Sequence, residues 1–332
     1  MPNLFEADGP LSEDLALDQT LRPRNLDEFV GQESIKSQIR LIVQAAIKDR
    51  RVIDHILLAG PPGLGKTSLA SIVATELGSN LRLTSGPAIK SAADLAAILA
   101  SLGTGEVLFI DEIHRMPRPA EEMLYLAMED FRVDVMVGKG PGANAISLEL
   151  PPFTLVAATT RSGMLPTPLR DRFGFTAFLE YYSAEELSRV VMRAANILGI
   201  SVNEHIASEI AACSRGTPRV ANRLLRRVRD FASMNSAGSV TVDSVQEALK
   251  MFGVDQLGLD RIDREILHIL AIRFAGKPTG LSTIAVALGE EPETIETVIE
   301  PFLIRLGLIS RTPRGRQITE QGLSHLERTS AP

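Results

Sequence analysis

From Ser34 onward apolar residues recur at helical spacing. In "SIKSQIRLIVQAAIKDR", Ile35, Ile39, Ile42, Val43 and Ile47 share one face and predict a helix. The pattern then changes. "VIDHILLAG" is a short apolar run stopped by glycine, as in a strand buried on both faces, and "EVLFIDEIH" and "FTLVAATTR" repeat it. Helical patterns separate these runs, so the region predicts a parallel sheet with helices on both faces, an α/β domain. Within it, "FRVDVMVGKGPGANAISLELPPF" alternates around a Gly-rich turn and predicts a projecting β-hairpin. Val135, Val137, Ile146 and Leu148 make that hairpin apolar, which suits a partner surface. Folding back onto its own domain is the alternative.

After Tyr182 the strand pattern stops. "SAEELSRVVMRAANILG", "NEHIASEIAACSRG", "TPRVANRLLRRVRDFASMN" and "TVDSVQEALKMFG" read as helices. Ser183 and Glu186 have capping-box spacing, Gly199 closes the first helix, and Thr217 caps a helix that opens with Pro218. These segments predict a small all-α domain over 183–253. "GVDQLGLD" reads as a linker. Beyond it lie three helical patterns and then "LISRTPRGRQIT", two extended runs around Pro313 and Gly315. Three helices followed by a hairpin form the winged-helix pattern, predicted here over 254–332. Residues 1–20 are polar and aperiodic and read as a leader, leaving 21–182 to the α/β domain.

Composition bounds the function. At 332 residues the chain exceeds one ordinary core. Its 41 acidic and 35 basic residues give a net charge of −6, which excludes a uniformly basic nucleic-acid binder. A local basic site is compatible, since exposed charges are screened beyond about 8 Å at physiological salt. Cys213 is the only cysteine, so neither an intrachain disulfide nor a thiolate metal site is available. No apolar run approaches the roughly 20 residues needed to span a bilayer, and the N-terminus lacks a secretory apolar segment. A cytoplasmic protein is expected.

Candidate chemistry starts at "GPPGLGKTS", Gly60 to Ser68, which fits G-x-x-x-x-G-K-[ST] between a predicted strand and a predicted helix. Gly63 and Gly65 let backbone amides close on phosphate oxygens, and the helix N-terminus adds its positive dipole end. Lys66 is placed to reach the β- and γ-phosphates of ATP, and Thr67 to offer a hydroxyl to Mg²⁺. "VLFIDEIH" delivers Asp111 and Glu112 to the C-terminal end of a buried strand, where such sheets bind ligands. Asp111 suits Mg²⁺ and Glu112 suits an attacking water; His114 reads as a polar neighbour. The strand "FTLVAATTR" ends in Thr159 and Thr160. In "PLRDRFG" two arginines follow a proline-rich loop, and an arginine from another subunit can stabilise a phosphoryl transition state about 10³- to 10⁵-fold.

Together "GPPGLGKT", "DEIH", "ATTR", "LRDRFG" and "GTPR" resemble the AAA+ ATPases. With "LRPRNLDEFVGQ" and "RTPRGR" the chain closely resembles the RuvB family, bacterial Holliday-junction branch-migration motors, from Leu21 almost to its end. The resemblance implies that Arg172 reaches a neighbouring subunit's ATP, that Thr160 senses the γ-phosphate, and that Arg219 is a second sensor on a helical lid. It places Leu21, Arg22 and Tyr182 around the nucleotide, with Glu129, Asp130 and Phe131 at the subunit boundary. Ser68 stands where many relatives have threonine and keeps the hydroxyl. The resemblance also implies a hexameric ring on duplex DNA, RuvA docked on the hairpin 133–149, RuvC in the resolving complex, and a role in recombination and repair.

The wing carries Arg311, Arg314 and Arg316, whereas the third helix of the module has Glu290, Glu291, Glu293, Glu296 and Glu300. So acidic a helix suits the major groove badly. The wing arginines are therefore expected to contact phosphates without reading bases. "RLLRRVR", Arg223 to Arg229, reads as a solvated face or a subunit contact. A clamp loader would end in a helical collar instead of a wing, and a winged-helix transcription regulator would favour one DNA site.

Overall fold

The computed structural model describes residues 19–137, 144–235 and 239–330. Of the leader, only residues 19 and 20 fall within that range. The chain divides into two compact units.

The first unit runs to Val190 and also takes in Thr217–Arg219. Its centre is a five-stranded parallel sheet in the order β2-β3-β6-β1-β7, comprising β1 (Ile56–Ala59), β2 (Leu81–Ser85), β3 (Val107–Asp111), β6 (Thr154–Thr159) and β7 (Phe175–Phe178). The predicted strands β1, β3 and β6 are the central ones and are almost wholly buried. Strands β2 and β7 carry no apolar run in the sequence, because they are edges. Arg82 and Thr84 interrupt β2, and Phe178 in β7 is 63% exposed. Ala59 is paired with Thr159, and Ser85 with Asp111, so the parallel strands end together along one edge.

Helices α1 (Glu33–Asp49), α2 (Lys66–Glu76), α3 (Ala92–Ala100), α4 (Arg118–Asp130) and the short α5 (Thr167–Arg170) complete the α/β unit. In α1 the buried face is Ile35, Lys36, Ile39, Val43 and Ala46. Ile47 is exposed, contrary to the periodicity reading: at 100° per residue Ala46 faces the core better. Strands β4 (Arg132–Val137) and β5 (Asn144–Glu149) form the predicted antiparallel hairpin, whose tip lies outside the described residues. The two strands differ in burial. Val133 is buried and Val135 packs on the domain core, while Ile146 and Leu148 stay exposed.

The second unit covers Val191–Gly216 and the chain from Val220. Helix α6 (Ala184–Leu198) begins in the first unit with the expected reciprocal cap, Ser183 N–H to Glu186 Oε2 at 2.8 Å and Glu186 N–H to Ser183 Oγ at 3.1 Å. Helices α7 (Glu204–Ala212), α8 (Pro218–Asn235) and α9 (Val242–Met251) follow, and α8 does start at Pro218. Arg226 of α8 is buried, so "RLLRRVR" is not simply a solvated face.

The winged-helix part holds α10 (Arg261–His268), α11 (Leu281–Leu288), α12 (Pro292–Thr294), a π-helical turn (Ile295–Ile299) and α13 (Glu300–Arg305). Pro301 lacks the N–H that an α-helix would aim at Thr297, and the π turn just before it absorbs the mismatch. Strands β8 (Ile309–Thr312) and β9 (Gly315–Ile318) make the wing as predicted. Two features are additions to the sequence reading. Thr279 bridges to Arg316, and helix α14 (Glu320–Ser330) packs through Leu326 on the core of the module. Gly315 is required: at φ 132° a Cβ there would stand 2.3 Å from the Thr279 carbonyl oxygen.

Candidate active site

Three adjacent strands build the site. After β1 the chain turns into the phosphate loop, anchored by Gly60 N–H to Thr159 O at 3.1 Å. Strand β6 ends at Thr159, and β3, beside it, ends at Asp111. Parallel register is what brings these residues, about 50 positions apart in sequence, to one edge.

Lys66 opens α2 and is buried. Its ammonium donates to the Gly60 and Pro61 carbonyls at 2.8 and 2.9 Å, which hold the side chain back along the loop. Burial pulls its pKa below the ordinary lysine value; Asp111 and Glu112 oppose that shift and Arg219 adds to it. At Asp111 burial, then the charge of Glu112, push the carboxyl upward, against the Glu112 N–H it accepts and the charges of Lys66 and Arg219. Asp111, Glu112, Lys66 and Arg219 thus share one electrostatic environment.

Glu112 has φ 48°, a left-handed backbone unusual for glutamate. Its Oε2 accepts the Thr160 hydroxyl at 3.0 Å and lies 3.2 Å from His114 Nδ1. Thr159 Oγ1 is 3.0 Å from the same nitrogen. His114 is therefore the polar neighbour expected, and it links the ends of β3 and β6. That link had no sequence signal, since it spans 45 residues.

The lid-side residues also arrive. Gly63, at φ 81°, accepts the Arg219 N–H, and a Cβ on it would stand 3.2 Å from the Arg219 Cβ. Tyr182 is buried and donates its hydroxyl to Leu64 O at 3.2 Å; burial raises its pKa. Leu21 is buried beside an exposed Arg22. Phe29, overlooked in the sequence, lies under the loop: its ring is 3.0 Å from where a Cβ on Gly65 would be.

Arg172 and Glu129 come together away from these residues in hydrogen bonding. Arg172 Nη2 donates to Glu129 Oε2 at 2.6 Å and Nη1 to Pro168 O at 2.7 Å, with the guanidinium over the Tyr125 ring at 5.4 Å. Two segments that the resemblance assigned to a subunit boundary thus form one surface cluster. Phe131 is part-buried against His55 and Phe153, while Asp130 is exposed and pairs with Arg132.

In the wing, Arg311 and Arg316 face each other across the ladder. Glu300, buried, accepts both: Arg311 through Nε, and Arg316 through Nε and Nη2 at 3.1 and 3.0 Å. Glu296 approaches both at 3.4 and 3.6 Å. The acidic helix and the basic wing, read separately in the sequence, are one cluster. Arg314 sits exposed at the turn.

A glycine-built phosphate loop, a strand-end Asp-Glu pair and a threonine on the adjoining strand, set on a parallel sheet and followed by a helical lid, define an AAA+ ATPase. Three family profiles match in succession: "Holliday junction DNA helicase RuvB P-loop domain" over 21–179, "RuvB AAA lid domain" over 182–255 and "RuvB C-terminal winged helix domain" over 256–327. The branch migration complex subunit RuvB of a Nocardioides species is 60% identical over 98% of this chain and 90% of its own length. That of Thermobifida fusca is 60% identical over 96% and 91%. The solved Thermotoga maritima RuvB motor superposes with a TM-score of 0.85 at 46% identity, covering 93% of this chain and 99% of its own. The chain belongs to the RuvB family.

Proposed function

We propose that the protein is an ATP-driven motor that moves duplex DNA to migrate the branch of Holliday junctions in recombination and repair. The observation that carries this reading is the joining of Lys66, Asp111, Glu112 and Thr160 at one sheet edge in a chain that also bears a winged helix with an arginine wing. Glu112, held by the Thr160 hydroxyl, is the base that polarises the attacking water, and Thr160 reports the γ-phosphate to it. Lys66 has only carbonyl oxygens as hydrogen-bond acceptors and is ready to exchange them for phosphate oxygens. Arg219, bonded to the loop through its backbone, carries nucleotide state into α8.

Thr67 and Asp111 are a hydroxyl and one carboxylate, and no cluster of three metal-binding side chains exists among the described residues. That sparse oxygen set fits Mg²⁺, which keeps waters and takes phosphate oxygens for the rest of its shell. When bound, the ion neutralises phosphate charge. Gly63, Gly65, Lys66, Thr67 and Ser68 hold the phosphates, with Leu21, Arg22 and Tyr182 at the nucleotide.

Arg172, already on the surface with Glu129, acts on the ATP of an adjacent copy in a hexameric ring, where Glu129, Asp130 and Phe131 border the shared pocket. The working parts are an ATPase domain 21–182, a lid 183–253 and a DNA-binding head 254–332. Arg311, Arg314 and Arg316 follow duplex phosphates without reading sequence. Hairpin 133–149, with Ile146 and Leu148 exposed, docks RuvA, and RuvC joins in the resolving complex. No helix among the described residues is long and apolar enough to cross a membrane, and the proposed site of action is the cytoplasm. The deciding experiment is ATPase activity on four-way junction DNA with and without RuvA. Stimulation by both is expected; turnover indifferent to DNA and RuvA would refute the motor.

A further inference from the structure

Resting on the reading of the wing as a DNA contact, we propose that Glu296 and Glu300 divide the control of its grip: Glu300 is a positioning residue that aligns Arg311 and Arg316, and Glu296 holds the place of a backbone phosphate until DNA displaces it. The two carboxylates differ in every respect that matters. The Glu300 side chain is 1% exposed, and each of its oxygens takes one of the two arginines that pair across the wing. A buried carboxylate stripped of its partners is strongly unfavourable, so this pair of contacts persists when DNA arrives. With Arg311 Nε, and Arg316 Nε and Nη2, turned onto Glu300, both guanidiniums are fixed in direction. The hydrogen bond to Glu300 also raises the pKa of Arg311 further, so its charge is permanent.

Glu296, four positions earlier and within the π turn, is 43% exposed. It reaches Nη2 of both arginines, but only at 3.4 and 3.6 Å, well beyond the roughly 2.8 Å of a strong charge-assisted bond. A solvated carboxylate spanning two guanidiniums has the charge and reach of a phosphate that bridges them, and exposed contacts of this kind are weak. Two carboxylates against two arginines also leave the cluster neutral, apart from Arg314. Phosphate gains a net positive site only by replacing Glu296. Such an exchange gives a grip that is independent of sequence and easily released, which translocation over arbitrary DNA requires.

The test is duplex binding by the full-length protein, followed by fluorescence anisotropy on two unrelated sequences over a range of salt. Charge alone predicts that removing either carboxylate tightens binding. Division of labour predicts opposite signs. Glu296→Gln should tighten binding about two- to fivefold on both sequences, the scale of one exposed ion pair. Glu300→Gln should weaken it about tenfold or more, as loss of a buried charged partner does. In an Arg311→Ala/Arg316→Ala background neither change should matter, which separates an effect on the arginines from a general one. Equal tightening by both variants, or no effect of Glu296→Gln, overturns the proposal. If Glu300→Gln melts the module, Glu300→Asp takes its place: it keeps the charge and shortens the reach, so the proposal expects weaker binding, and unchanged binding overturns it. If Arg311→Ala/Arg316→Ala itself leaves binding intact, the wing reading falls first and this proposal with it.

Discussion

Lys66, at the start of α2, and Glu112, just past the end of β3, are expected to fail in different ways when removed. In the proposed site Lys66 contributes a phosphate contact from a buried position. Lys66→Ala should lower ATP affinity by about tenfold or more and turnover with it, read by titration with a fluorescent nucleotide. In the same proposal Glu112 contributes to the attack on phosphorus, so Glu112→Gln should keep nucleotide binding while turnover falls about 10²- to 10⁴-fold. Equal loss of binding in both variants would mean that Glu112 is structural. His55 makes a separate point about burial. Its Nδ1 accepts the Leu155 N–H at 2.9 Å and its Nε2 lies 3.1 Å from Met128 O, which fixes the neutral ring as Nε2–H. Burial among Phe131 and Phe153 lowers its pKa. The unfolded state therefore binds the proton more readily than the folded state. Stability from the neutral ring is full above about pH 6.5, the unfolded value, and drains away as pH falls below it. Thermal unfolding from about pH 7.5 to 5.5 should show that decline, and His55→Gln should flatten it.

The hairpin β4–β5 divides its burial by strand. Val133 pairs with Leu148 and Val135 with Ile146, so all four share one face, yet the β4 residues meet the domain core while the β5 residues stay exposed. Ile146→Ser with Leu148→Ser should change stability by no more than about 0.5 kcal/mol, as surface substitutions do, yet abolish stimulation of the ATPase by RuvA. A large drop in melting temperature instead would show that these residues pack on their own domain. At the same scale, the edge strands β2 and β7 explain a gap in what periodicity reveals. A central parallel strand is buried on both faces and stands out as an apolar run; an edge strand is half-solvated and reads as loop.

The proposed ring can be tested at the scale of the whole molecule. Arg172 is bonded at the surface to Glu129, so the shared-pocket reading predicts complementation in trans. Mixing Glu112→Gln with Arg172→Ala chains should restore ATPase activity above either alone, because some pockets then receive a sound Glu112 and a sound Arg172. Silence at every ratio in intact oligomers would end that reading. Three wing arginines predict a log–log salt slope of about −3 per engaged protomer. The sequence alone determined whatever local spacing encodes: the central strands, the glycine loop that only backbone amides and small residues can build, the capped lid helices, and the wing. These follow from period, from allowed φ, and from the residues a phosphate demands. Tertiary structure decided which distant groups share a field. It set Thr160 and His114 on Glu112, packed Phe29 under Gly65, and closed an acidic helix onto the basic wing. Pairings of that kind depend on the path of the chain through space, and along the chain their members are strangers.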